Sequence, residues 1–150
     1  EAKDFINAYF YRFPKIRDYM EDIKHQLDYN GYVETLFKRR IYINGNDSKN
    51  QRLKAFAERQ AINAPIQGTA ADIIKIAMIE VHKKISQYKE QISMLMQVHD
   101  ELVFEINENE IEKFTNIILP IMETANLPMV PLNVKLKVDS GYGKNWAEAH

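Results

Sequence analysis

The stretch from Met94 to Glu105, MLMQVHDELVFE, limits the possible folds of this chain more than any other segment. Apolar and β-branched residues on both sides of a short polar break are typical of two strands joined by a tight turn. The break places His99, Asp100 and Glu101 together at the tip of the resulting antiparallel hairpin. Because the flanking strands are apolar, we expect a core hairpin that presents two adjacent carboxylates at one edge of a buried sheet.

Adjacent carboxylates at a strand end suit a divalent cation, because Mg²⁺ prefers hard oxygen ligands and takes one or two carboxylates completed by water and phosphate. Successive side chains on a strand point to opposite faces, so Asp100, nearer the bend, is the preferred direct ligand ahead of Glu101. His99 could contact a phosphate or a hydroxyl group. A two-metal centre, with ions about 3.5–4 Å apart, needs at least one further carboxylate. An ordinary charged turn without metal remains open.

The remaining pattern predicts an α+β fold, because helices and antiparallel strands mix without a βαβα rhythm. Apolar periodicity predicts helices over about 2–12, 14–29, 50–61, 67–85 and 107–124. Alternating or β-branched runs predict strands over 32–37, 39–43 and 132–138. Pro65 is expected to break or kink the helical run around it, since proline lacks a backbone donor. Asn107 or Asn109 is expected to cap the last helix.

Composition excludes several classes of protein. The chain has no cysteine, which excludes disulfides and thiolate metal sites, and no apolar run approaches the roughly 20 residues of a membrane span. We therefore expect no membrane partner. Net charge is −1, but bases concentrate between Lys38 and Arg59 and acids between Asp100 and Glu112. This distribution suits a polyanion held near a cation, although two solvated faces would look the same.

Arg59, Asn63 and Gln67 follow one another at four-residue steps, which places them on one face of a helix. Amides both donate and accept, and minor-groove acceptors occur on every base pair. Such a face would therefore read duplex geometry rather than sequence. A solvated helix face is the alternative. A second basic group lies upstream and is formed by Lys38, Arg39 and Arg40.

Several long segments carry a resemblance to a known family. RQAINAPIQGTAAD, from Arg59 to Asp72, and QVHDEL, from Gln97 to Leu102, resemble the C-terminal part of family A DNA polymerases, the bacterial DNA polymerase I type. Three other segments are also similar to that family: GYVETLF from Gly31, the KRR that follows it, and the C-terminal segment from Gly141 to Trp146. The resemblance covers essentially the whole chain in the family's order.

The resemblance implies a DNA-directed DNA polymerase that transfers nucleotides from dNTPs to a primer 3′ end with two Mg²⁺ ions. It implies that Asp100 is a Mg²⁺ ligand, that Glu101 is a nearby, less critical carboxylate, and that His99 lies close to the primer end. Residues 1–30 would finish the fingers, and 31–150 would form a palm whose antiparallel sheet has the hairpin at its centre and helices over it. The residues expected to contact primer–template DNA are Arg59, Asn63, Gln67, Gln97, His99, Lys38, Arg39 and Arg40.

The family's first catalytic aspartate and its nucleotide-binding fingers helix have no counterpart in this sequence. We therefore expect a fragment that is inactive alone, from a monomeric enzyme of the bacterial cytoplasm and nucleoid, with an organellar relative left open. Two other functions remain open. One is a metal phosphohydrolase using His99 and Asp100, although His25, His82 and His150 share no metal-type spacing with His99. The other is a non-catalytic module that binds duplex DNA.

Overall fold

The computed structural model describes residues 2–149. Its helices are α1 (Ala2–Arg12), α2 (Pro14–Asn30), α3 (Gln51–Ile85), α4 (Ile111–Glu123) and α5 (Trp146–Ala149). Its strands are β1 (Tyr32–Glu34), β2 (Arg40–Tyr42), β3 (Ile92–Val98) and β4 (Glu101–Ile106). Short 3₁₀ turns span Ser86–Tyr88 and Glu108–Glu110. The described strands pair as two antiparallel hairpins, β1 with β2 and β3 with β4. The predicted α+β class is confirmed.

The chain forms two compact units, Glu1–Thr69 and Ala70–His150, and the boundary falls within α3. In the first unit, α2 begins with Pro14, whose fixed φ suits a first helical turn. It ends where Gly31, at φ 73°, donates its N–H to the carbonyl of Leu27 at 2.8 Å. The core of this unit is formed by Ile23, Leu27, Val33, Ile43, Ala57 and Ala61.

The second unit has its own core, to which the last turns of α3, strand β3 and helix α4 contribute. Phe114 is fully buried at its centre, and the Tyr88 ring meets it edge-on at a centroid distance of 5.5 Å. The alternating Met94, Phe104 and Ile106 of the β3–β4 hairpin pack against this cluster. The buried members are Val81, Ile85, Ile92, Phe114 and Ile118.

The predicted break at Pro65 is wrong, because α3 runs without interruption from Gln51 to Ile85 with Pro65 inside it. A mid-helix proline costs about 3 kcal/mol in an isolated helix. Here the same face is held by buried neighbours one turn away on each side, Ala61 and Thr69. The Thr69 hydroxyl also donates to the Pro65 carbonyl at 2.6 Å. Tertiary packing therefore outweighs the local cost.

Two predicted strands are also wrong or too long. Strand β1 ends at Glu34 because residues 36 and 37 turn the chain, and the predicted strand over 132–138 is irregular. Its alternation is only partly expressed, since Leu136 is half-buried while Val134 is 78% exposed. A strand needs a hydrogen-bonded neighbour. Within residues 2–149, both sheets contain two strands and neither includes this segment.

The predicted cap of the last helix is also wrong. Neither Asn107 nor Asn109 caps α4, which follows the 3₁₀ turn and has Glu110 at its N-cap. The Asn107 amide instead donates to the Glu90 carbonyl at 3.4 Å. Among residues 2–149, no helix is long and apolar enough to cross a membrane.

Candidate functional site

Strands β3 and β4 are joined by a tight turn, as the sequence predicts, but the turn has two residues and Glu101 belongs to β4. Val98 pairs with Glu101, which leaves His99 and Asp100 as the turn itself. Both turn residues are exposed, whereas Glu101 is half-buried. The hairpin is less buried than expected, because Leu95 is 56% exposed, although Ile92 lies in the core. The two carboxylates therefore sit at an accessible tip.

The turn has an unusual backbone. His99 adopts φ 52°, while Asp100 does not have a positive φ. A positive φ at the first of two turn residues only is the pattern of a type II′ turn, where glycine is usual. The Gln97 side-chain amide donates a hydrogen bond to the His99 carbonyl. A polar side chain of β3 thus bonds to the turn that carries Asp100.

A bulge between Met94 and Met96 decides which side chains share a face near the tip. Beyond it, Gln97 pairs with Leu102 and Val98 with Glu101. Because paired residues share a face and neighbours alternate, Gln97 lies on the face of Leu102, opposite to that of Glu101. Bulges re-aim side chains in this way. Gln97 and Glu101 therefore lie on opposite faces of the hairpin.

The donor set at the tip suits a hard cation but is incomplete. Asp100 and Glu101 supply carboxylate oxygens, which Mg²⁺ prefers, and the exposed turn leaves room for water or phosphate. Within residues 2–149 there is no group of three or more metal-ligating side chains. His25 on α2 and His82 on α3 are both exposed, and His150 lies outside the described residues. Nothing described here supports the phosphohydrolase alternative.

In the first unit, the predicted amide face of α3 opens onto a groove of about 500 Å³. Asn63 and Gln67 line it and are exposed, while the Arg59 guanidinium lies 6.0 Å from the ring centre of Phe56. The sequence reasoning missed Gln60, which also lines the groove. Its three- and seven-residue spacing from Asn63 and Gln67 was the available signal. The other residues that line the groove are Ile41, Tyr42, Ile43, Asn44 and Ala64.

The connection between β1 and β2 is fastened to α3 next to this face. The Leu36 N–H donates to the Thr69 hydroxyl at 3.0 Å, and the Arg39 guanidinium donates to the Gly68 carbonyl at 3.1 Å. The Thr35 hydroxyl in turn accepts from the Arg39 N–H at 3.2 Å. Arg39 therefore has a structural bond in addition to any contact with a ligand.

The other two members of the basic group lie beside a carboxylate. Lys38 and Arg40 both pair with Glu34, at 3.9 Å and 3.5 Å respectively, and both are exposed. The Arg40 guanidinium also lies 4.7 Å from the ring centre of Tyr32. A hydrogen bond with Tyr42, supported by Tyr32 and Glu34, raises the pKa of Arg40, so this side chain stays cationic. Exposed pairs of this kind are weak and leave both cations accessible to an anion.

The predicted site residues thus divide into two groups, according to the unit in which each residue lies. The first unit holds Lys38, Arg39, Arg40, Arg59, Asn63 and Gln67. The second holds Gln97, His99, Asp100 and Glu101. The first group offers cations and neutral amides, which match phosphates and base edges, and the second offers adjacent carboxylates on a tight turn.

Comparison with known proteins gives a consistent result. The chain matches the model of DNA polymerase family A over residues 1–148. It is 47% identical over 152 residues to DNA polymerase I of Rhizobium leguminosarum and 44% identical over 149 residues to DNA polymerase I of Bacillus caldotenax. These alignments cover 100% and 99% of this chain but only 15% and 16% of the two relatives.

The fold is similar to that of a solved polymerase domain. The POL domain of Pol1 from M. smegmatis, in complex with DNA primer-template and dNTP, matches with a TM-score of 0.90 and 44% identity. The match covers 99% of this chain and 26% of that chain. The family match and the structural match therefore both extend over nearly the whole chain.

Proposed function

The chain belongs to DNA polymerase family A, and from that premise we propose that it supplies part of the active site of a DNA-directed DNA polymerase. Residues 1–30 would complete the fingers and residues 31–150 would form the palm. The observation that carries the proposal is the β3–β4 turn, which holds Asp100 exposed at the tip of the hairpin with Glu101 beside it.

The reaction proposed is template-directed nucleotidyl transfer. The primer 3′ hydroxyl would attack the α-phosphate of a dNTP in line, forming a phosphodiester bond and releasing pyrophosphate. Bound Mg²⁺ would lower the pKa of that hydroxyl and neutralise charge that develops on the phosphate. Within this chain, His99 at the exposed tip would lie beside the primer 3′ end and hold it by hydrogen bonding.

Enzymes of the family are generally metal-dependent, and we propose Mg²⁺ as the metal. Asp100 would bind it directly, because its carboxylate is exposed at the bend, and Glu101 would be the less critical second carboxylate. Two Mg²⁺ ions would require further ligands beyond this pair. The incomplete donor set is the reason to expect that the 150-residue chain extends no primer by itself.

The groove on α3 would contact primer–template DNA. Asn63 and Gln67 present neutral donors and acceptors of the kind that pair with minor-groove acceptors on any base pair. Arg59, Lys38 and Arg40 are exposed cations that would bind phosphates, and such contacts position a duplex without reading its sequence. Gln97 and Arg39 were predicted as contacts as well, although both also bond to the backbone of their own unit.

Primer extension by the full-length protein tests the proposal. Asp100→Asn keeps the shape of the side chain and removes its charge. We expect a loss of at least about a hundredfold in rate with primer–template affinity retained, because metal charge stabilisation contributes several kcal/mol. Asp22→Asn, at an exposed position on α2, is the matched control and should extend normally.

Two results would contradict the proposal. Normal extension by Asp100→Asn, with duplex bound as tightly as before, would favour the non-catalytic duplex-binding module. Primer extension by the 150-residue chain alone, abolished by Asp100→Ala, would refute the expectation that it is incomplete. We further propose that the full-length protein is a monomer of the bacterial cytoplasm and nucleoid, which sedimentation and cell fractionation can check.

A further inference from the structure

We propose that Gln97 is a positioning residue, whose amide fixes the backbone of the turn that presents Asp100. This inference rests on the proposed function, since it assigns Gln97 a task in the metal site rather than in direct contact with DNA. The Gln97 side chain bonds directly to the turn, because its amide donates a hydrogen bond to the His99 carbonyl.

The turn needs such support because of the conformation of His99. At φ 52° its backbone lies in the left-handed region, which glycine adopts freely and other residues enter at a cost. Neither turn residue is buried, so packing against a core does not hold His99 in this state. A conformation of this kind persists when neighbouring groups fix it. The Gln97 amide is a group placed to do so.

The location of Gln97 fits this role better than a role in binding the cation. The bulge before Met96 puts Gln97 on the face of Leu102, while Glu101 lies on the opposite face. Gln97 and Glu101 therefore lie on opposite faces of the hairpin, and the Gln97 amide bonds to the residue directly before Asp100. Loss of the bond would let the His99 peptide rotate and carry the Asp100 carboxylate with it. A misplaced ligand lowers metal affinity without altering the duplex-binding surface of the first unit.

The test uses the full-length protein with the substitution Gln97→Met, which keeps the length of the side chain and removes the amide. Gln87→Met is the matched control, because the Gln87 amide also donates to a backbone carbonyl, that of Lys84 at 3.2 Å, away from the tip. Three quantities are measured for each: amide hydrogen exchange in peptides covering the turn, the Mg²⁺ concentration that gives half-maximal extension, and primer–template affinity.

For Gln97→Met we expect exchange at the turn and the half-saturating Mg²⁺ concentration each to rise about fivefold, as the loss of one hydrogen bond implies. Primer–template affinity should stay within twofold of the wild-type value. The thermal midpoint should stay within about one degree of the wild-type value. Adding His99→Gly should bring exchange at the turn back toward the wild-type rate, because glycine needs no support at this φ. Gln87→Met should change none of these quantities.

The proposal is overturned if Gln97→Met weakens primer–template binding while turn exchange and Mg²⁺ dependence stay unchanged, since Gln97 would then be a DNA contact. It is equally overturned if all three quantities stay unchanged. A wild-type protein that extends no primer would refute the proposed function. The exchange experiment would still decide whether Gln97 holds the turn.

Discussion

Replacement of Gly68 by alanine sets helix propensity against tertiary packing. Gly68 lies in the interior of α3, and a Cβ added there would come within 2.7 Å of the Thr35 methyl carbon and 2.8 Å of the Ile41 Cδ1. It would also lie 3.2 Å from the Arg39 guanidinium that bonds to the Gly68 carbonyl. The first two separations are too short for van der Waals contact, so neighbouring atoms must move.

The magnitude follows from three effects. Alanine should stabilise the helix by about 0.8–1.0 kcal/mol relative to glycine. Overpacking should cost about 1–3 kcal/mol, toward the upper end here because Thr35 is buried and β-branched and cannot swing aside. The Arg39 guanidinium, at 3.2 Å, needs to shift by only a few tenths of an ångström, so its bond to the Gly68 carbonyl should weaken little. We therefore expect Gly68→Ala to lower the free energy of unfolding by about 2 kcal/mol.

Urea denaturation of the purified chain, followed by circular dichroism, measures this effect. With a slope of about 2 kcal/mol/M, the midpoint should fall by about 1 M. Thr35→Ser removes the clashing methyl and keeps the hydroxyl that accepts from Arg39, so Gly68→Ala should cost at least about 1 kcal/mol less in that background. A midpoint that rises with Gly68→Ala, or no coupling to Thr35→Ser, would refute the packing argument.

Two further substitutions probe stability, one in each unit. The Tyr19 hydroxyl donates to the Ile62 carbonyl at 2.8 Å, so Tyr19→Phe should lower the free energy of unfolding by about 1 kcal/mol, which urea denaturation can measure. Burial raises the pKa of Tyr19, so its contribution to wild-type stability should be complete below the unfolded-state value of 10.0 and be lost as pH rises from there through the higher folded-state pKa. A fall of equal size in Tyr19→Phe would contradict this. Lys113 lies 5.0 Å from the Tyr88 ring centre and pairs with Glu110, so Lys113→Met should lower the thermal midpoint by about 3 °C. An unchanged midpoint would show that the cation contributes nothing.

Prediction from sequence succeeded where the signal is local. The β3–β4 hairpin with its tight turn follows from strand propensity and a polar break, and the ends of α2 follow from Pro14 and Gly31. Prediction failed where distant residues decide. Pro65 remains helical because its neighbours are buried, and the alternating segment over 132–138 is irregular because alternation fixes a face but cannot supply a partner strand.

The same division holds for the candidate site. Asp100 and Glu101 are neighbours in sequence, and four-residue steps alone align Asn63 with Gln67, so the sequence determined which groups stand together. The hydrogen-bond partners of the site residues come only from the folded chain, because they depend on backbone angles and on contacts between residues far apart in the sequence. With the bulge and the positive φ of His99, the Gln97 amide reaches the His99 carbonyl. Contact with α3 tied Arg39 to a carbonyl that lies 29 positions along the chain.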